Sequence, residues 1–83
     1  MTFHPVTAGM IRDSQRDILV RFGLHVEKIR REKNLSFRQV AQNCDIDHGN
    51  IKKIEKGQTN LTFLTIVELA KGLSVEAKEL MEY

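Results

Sequence analysis

Between residues 14 and 34 the apolar positions Ile18, Phe22, Val26 and Ile29 recur at three- and four-residue intervals, with Leu19 beside them. That interval draws one stripe along an α-helix. Ser14, with Asp17 three residues on, reads as its N-cap, and the helix ends near Asn34. Gly23 inside it costs about 1 kcal/mol relative to alanine, so it also marks the alternative start of a shorter helix. Leu35 reads as a buried joint. Ser36 caps a second helix through Asn43, with Val40 and Ala41 inside. Asp47 caps a third to Lys56, stopped by Gly57, with Ile51 and Ile54 as its inner side. Thr62 caps a fourth, stopped by Gly72, with Leu64, Val67 and Ala70 on one side and Ile66 and Leu73 nearby. Ser74 caps a short last helix, VEAKELMEY. No window alternates apolar and polar residues as a strand pair requires. Residues 1–13, punctuated by Pro5 and Gly9, have no periodicity and read as a flexible N-terminal arm. The pattern predicts an all-α, compact five-helix domain over residues 14–83.

Size and composition narrow what such a domain does. At 83 residues the chain holds one small domain. Hydrophobic residues at 41% and charged residues at 29% suit a folded globular unit. The apolar runs, such as Ile18-Leu19-Val20, fall far short of the roughly 18 residues a membrane span needs. The N-terminus has no apolar stretch after a basic start and does not read as a signal peptide, so a cytoplasmic location without membrane contact is expected. The single cysteine, Cys44, excludes an internal disulfide and a cysteine-rich zinc site and suits a reducing compartment. His4, His25 and His48 are too far apart for a metal-binding pair at helical spacing, so neither metal nor cofactor is expected. No nucleophile is paired with a base and there is no glycine-rich phosphate loop, which argues against an enzyme.

Charge is distributed unevenly. Residues 21–71 hold ten basic residues (Arg21, Lys28, Arg30, Arg31, Lys33, Arg38, Lys52, Lys53, Lys56 and Lys71) against six acids, whereas the two ends are neutral and acidic. A basic middle suits a polyanion partner, and a solvated charged surface has the same composition. The stretch VAQNCDIDHGNIKKIEKG adds pattern to charge. Two helices crossing steeply need a small residue at the close approach, a turn residue able to reach a left-handed conformation, and apolar anchors on the second helix. Ala41, Asp45, Ile46, Ile51 and Ile54 stand at the positions for these roles. The outer face of the third helix then carries His48, Gly49, Asn50, Lys52 and Lys53, whose side chains suit base edges in a major groove. An amphipathic helix with a merely solvated outer face fits the same spacing.

Four segments in order, FGLHVEKIRREKNLS, FRQVAQNCDI, HGNIKKIEKG and TFLTIVELAKGLSV, resemble the helix-turn-helix domain of the Cro/phage-repressor type, the XRE family. The resemblance runs from Phe22 to about Met81, and it implies a lambda-repressor-like fold that binds double-stranded DNA. It implies that Arg30 pairs with Glu55, tying the first helix to the recognition helix, and that His48, Gly49, Asn50, Lys52 and Lys53 face bases. It assigns phosphate contacts to Phe37 and Arg38 at the start of the second helix, and to Lys56, Gln58, Thr59 and Asn60 after the recognition helix. Three positions depart from the family pattern. Phe37 stands where a glutamine usually touches phosphate and braces the reading helix, which leaves its backbone amide, with Arg38 as a substitute. Leu61 stands where a proline commonly leads the fourth helix, and Gly49 puts a position without a side chain in the reading helix.

One reading helix covers a half-site, so a domain of this size is expected to bind a palindromic operator as a homodimer. In related stand-alone regulators the last helix supplies the dimer surface, which maps here to Val75, Leu80, Met81 and Tyr83; the same residues could instead close the core. The expected function is a dimeric transcriptional regulator, of the kind found among restriction-modification control proteins and phage Cro-like switches. A reading from another class is an antitoxin or other protein-interaction module that uses the same fold and holds a protein partner through residues 1–20.

Overall fold

The computed structural model of the protein describes residues 12–83. Among the described residues the chain forms five helices and no strand: α1 (Asp13–Glu32), α2 (Phe37–Gln42), α3 (His48–Glu55), α4 (Phe63–Leu73) and α5 (Ala77–Leu80). No described helix is long and apolar enough to cross a membrane.

Three helix starts follow local side-chain chemistry. Ser36 Oγ accepts from the Gln39 N–H at 3.1 Å, and the Gln39 side chain returns to accept from the Ser36 N–H at 2.7 Å. Asp47 Oδ1 accepts from the Asn50 N–H at 2.8 Å, and Thr62 Oγ1 accepts from the Thr65 N–H at 3.1 Å. Each of these bonds occupies a backbone donor that the helix itself leaves free. The start of α1 differs from expectation. Arg12 is its N-cap, with the Gln15 side chain accepting from the Arg12 N–H at 3.1 Å, so Asp13 and Ser14 lie inside the helix. The expected arm therefore loses its last two positions, and residues 1–11 lie outside the described residues.

Three helices end in one way, on a residue with positive φ: Asn34 (55°) after α1, Gly57 (68°) after α3 and Ser74 (58°) after α4. The residue with positive φ and the one after it each donate an N–H back to the last turn. Asn34 and Leu35 reach the Arg31 and Arg30 carbonyls, Gly57 and Gln58 reach Ile54 and Lys53, and Ser74 and Val75 reach Lys71 and Ala70. These paired bonds cover carbonyls that would otherwise lack partners. After α1 and α4 the second residue is apolar, and Leu35 and Val75 both pack against the core. Ser74 thus ends α4, and Glu76 starts α5, with its N–H donating to the Glu79 carboxylate at 3.0 Å. Gly72 does not stop α4 but lies inside it, where an added Cβ would overlap the Val40 carbonyl.

Phe22, Val26, Val40, Ile51, Ile54, Leu69, Ala70, Leu73 and Leu80 form the buried core, with every helix contributing. Full burial of a side chain of this size stabilises by about 1.5–3 kcal/mol. Two expected core positions lie elsewhere. Ile18 is exposed because the first turns of α1 extend beyond the elements it packs on, and residues 12–18 are all exposed. The buried stripe of α4 runs through Ile66, Leu69, Ala70 and Leu73, and Leu64, two residues before Ile66 and so about 200° around the helix, faces away.

Gly23 lies within α1 rather than at its start, because α1 crosses the end of α3 there. A Cβ at Gly23 would overlap the carbonyl oxygens of Ile54 and Glu55. The turn between α2 and α3 needs no left-handed residue, and Asp45 has none of the positive φ expected of it. Its N–H instead donates to Glu68 Oε1 at 3.1 Å, while Glu68 Oε2 accepts from Lys71 Nζ at 3.0 Å. A carboxylate from α4 holds the turn in place of a special backbone conformation.

Candidate nucleic-acid interface

The eight residues of α3 divide into two faces. Ile51, Ile54 and Glu55 are buried, whereas His48, Asn50, Lys52 and Lys53 are exposed and Gly49 is half-buried. Of the five residues expected to face bases, Lys53 stands on the side of α3 away from the core, with Gly49 half-buried beside it, His48 and Lys52 lie toward the α2 flank, and Asn50 on the opposite flank. Asp47 caps the helix and also accepts from Asn50 Nδ2 at 3.1 Å, leaving the second amide hydrogen and Oδ1 of Asn50 free for another partner. A Cβ at Gly49 would stand 3.2 Å from Asp47 Oδ1, the capping atom. A glycine there leaves the cap undisturbed.

The angle of α3 is set from beneath by an ion pair. Arg30 Nε donates to Glu55 Oε2 at 2.6 Å and Arg30 Nη2 to Glu55 Oε1 at 3.1 Å, with the two residues only 8% and 7% exposed. The third nitrogen, Nη1, donates to the Leu35 carbonyl at 2.9 Å. One guanidinium thus ties α1, the joint before α2, and α3, using the planar fork that matches a carboxylate. The hydrogen bond to Glu55 outweighs desolvation and raises Arg30 above its ordinary pKa. The guanidinium carbon also lies 4.1 Å from the centre of the Phe37 ring, and Lys52 Nζ lies 5.6 Å from the same centre.

The residues expected at phosphates flank this face. Arg38 is exposed and, with Ala41, Gln42 and His48, lines a groove of about 340 Å³ between α2 and α3. Lys56 and Gln58 are exposed beside Gly57, where a Cβ would overlap the backbone of Val20 on α1. Thr59 Oγ1 donates to the Asn60 carbonyl at 3.3 Å, and Asn60 Oδ1 accepts from the Leu61 N–H at 2.9 Å. A proline at position 61 would lack that N–H. Here the side chain of Leu61 packs against the core and its amide fastens the loop.

The expected dimer residues do not form one surface. Leu80 is fully buried in the core of its own chain and Val75 is half-buried against that core, whereas Met81 and Tyr83 are exposed. The Tyr83 ring stands edge-on to Phe22 at 6.2 Å and lies 5.3 Å from His25, whose Nε2 is 2.7 Å from the Glu79 carbonyl oxygen. Among the described residues the most exposed large apolar side chains are instead Phe63 and Leu64, at 74% and 73%, in the first turn of α4. Adjacent bulky residues directly after the Thr62 cap were the available sequence signal.

A helix-turn-helix family model matches residues 26–80. The chain belongs to the XRE-type helix-turn-helix family. Two relatives of this helix-turn-helix protein are the control protein C.MunI of a Mycoplasma species and the control protein C.BamHI of Bacillus amyloliquefaciens. Each is 34% identical to it; the first match covers 77% of this chain and 88% of the relative, the second 81% and 84%. Among solved structures, the restriction-modification controller protein C.AhdI from Aeromonas hydrophila is 33% identical, covering 77% of this chain and 97% of that one with a TM-score of 0.73. The controller C.Esp1396I is 29% identical with a TM-score of 0.71, covering 78% of this chain and 84% of that one.

Proposed function

We propose that this helix-turn-helix protein is a transcription regulator that reads DNA sequence with α3 and acts as a homodimer on an operator of twofold symmetry. The observation that carries the reading is the division of α3. Its inner face is clamped by Ile51, Ile54 and the Arg30–Glu55 pair, while His48, Asn50 and Lys53 are exposed around Gly49. A helix fixed at its base and polar on its outer face suits a major groove, where Asn and Lys side chains discriminate base edges. Arg38, Lys56 and Gln58 flank that face and suit the phosphates. Likeness to control proteins favours a restriction-modification controller over a phage switch, and the relatives do not favour the antitoxin reading.

Selection of bound duplexes from a random pool, followed by anisotropy titration at two salt concentrations, tests this. An inverted repeat with half-sites about one helical turn apart is expected. With about six phosphates engaged, affinity should fall by roughly a thousandfold between low and moderate salt. Asn50→Ala or Lys53→Ala should lose about 1–3 kcal/mol on the selected site and little elsewhere, while Lys56→Ala should weaken all duplexes alike. No enriched sequence would remove the reading.

A further inference from the structure

We propose that Phe37 is a positioning residue for DNA binding: its ring holds Lys52 on the α2 side of the reading helix and commits that lysine to the phosphate backbone, leaving base reading to its neighbours. This rests on the DNA-binding reading above. The ammonium of Lys52 lies 5.6 Å from the centre of the Phe37 ring, within the range at which the electron-rich face of an aromatic ring attracts a cation. Arg30 lies at 4.1 Å from the same ring centre, but its charge is balanced by Glu55 at 2.6 Å, so it does not drive Lys52 away. Successive residues turn by about 100° around a helix, so Lys52 lies about 100° from Lys53 and only about 60° from the buried Glu55. Lys52 therefore rises from the flank of α3 that adjoins α2, and Lys53 from the outward face.

A ring face offers no lone pair, so an ammonium drawn to it turns about one N–H toward the ring and keeps the others for outside acceptors. Lys52 held there keeps those donors for phosphate oxygens at the rim of the groove while its freedom to swing toward base edges is reduced. A glutamine at position 37 would brace its neighbours through hydrogen bonds. Phenylalanine can do so only through its ring, and the ring has both Arg30 and Lys52 against it.

The test combines proton NMR of the free protein with anisotropy titrations on the selected duplex and a scrambled one across a salt series. The ε-methylene protons of Lys52 should be shifted upfield of those of the other lysines by the ring current of Phe37. Lys52→Ala should weaken both duplexes by the same factor and reduce the salt slope by about one. Phe37→Leu should weaken both by about two- to fivefold, Phe37→Tyr should stay near the parent chain, and Phe37→Leu should add nothing in the Lys52→Ala background. A collapse of discrimination in Lys52→Ala at an unchanged salt slope would show that Lys52 reads bases. Additive losses, or a Lys52 methylene without an upfield shift, would show that the ring does not hold it. If Phe37→Leu does not fold, the parent chain's spectrum and Phe37→Tyr still decide. A parent chain that binds no duplex would overturn the DNA reading and the phosphate role together, whereas the NMR shift reports the ring contact separately, so the two failures can be told apart.

Discussion

Arg30, which ties α3 to α1 and to the joint before α2, shows how context changes the worth of a charge. Exposed ion pairs such as Arg31–Glu27, 3.5 Å apart, contribute little. In the buried Arg30–Glu55 pair, removing one partner strands the other away from water. Glu55→Gln should lower stability by about 3 kcal/mol in urea denaturation, with the ratio of specific to non-specific DNA affinity unchanged. Equal stability with relaxed specificity would mean that Glu55 acts on recognition rather than on the scaffold. The partnership joins residues 25 positions apart and was legible only through resemblance, since neither residue is marked by its local surroundings. The contact of Phe37 with Lys52 was not legible at all. It depends on how two helices cross, and the departure from glutamine at position 37 pointed only to a lost hydrogen bond.

At the level of elements, the starts at Ser36, Asp47 and Thr62 could be read directly, because a cap is a bond between residues three apart. What depended on distant partners was harder. The apolar residues of α4 extend around much of its circumference, so spacing alone does not place Leu64 on the exposed side, and the bond from the Asp45 amide to Glu68 on a distant helix makes a left-handed turn residue unnecessary. Gly23 gives a clear test of this distinction. In an isolated helix Gly→Ala would gain about 1 kcal/mol. Here the new methyl meets the carbonyls of Ile54 and Glu55, so Gly23→Ala should instead lower stability by about 1–3 kcal/mol in thermal or urea melts. The Glu68 clamp has its own signature in pH. The hydrogen bond from Lys71, and after it the bond from the Asp45 amide, hold Glu68 below its ordinary value of 4.5. A depressed carboxylate contributes fully above that value and loses its contribution as pH falls through the lower, folded-state value. Melting temperature should therefore fall less steeply between about pH 5 and pH 3 in Glu68→Gln than in the parent chain. Identical slopes would show that the clamp does not stabilise the fold.

For the whole molecule, the sequence indicated the five helices found among the described residues, whereas the four residues expected at a surface for self-association are not all exposed. Leu80, expected there, completes the monomer's own core, whereas Phe63, Leu64, Met81 and Tyr83 remain exposed. If dimers form through these side chains, Phe63→Glu or Met81→Glu should raise the dimer dissociation constant at least about tenfold in sedimentation equilibrium. Melting of the dissociated chain should change little, because neither side chain is buried there. A dimer equally stable in both variants would place the interface elsewhere. The division of labour within α3 reaches beyond any single operator. Ile51, Ile54 and Glu55 hold the helix in place, while Gly49, Asn50 and Lys53 add little to the core. Apart from Gly49, where a side chain would crowd the Asp47 cap, the outward positions can change without first solving a folding problem, so if α3 reads sequence as proposed, a lineage built on this scaffold can drift from one target to another while remaining the same protein beneath.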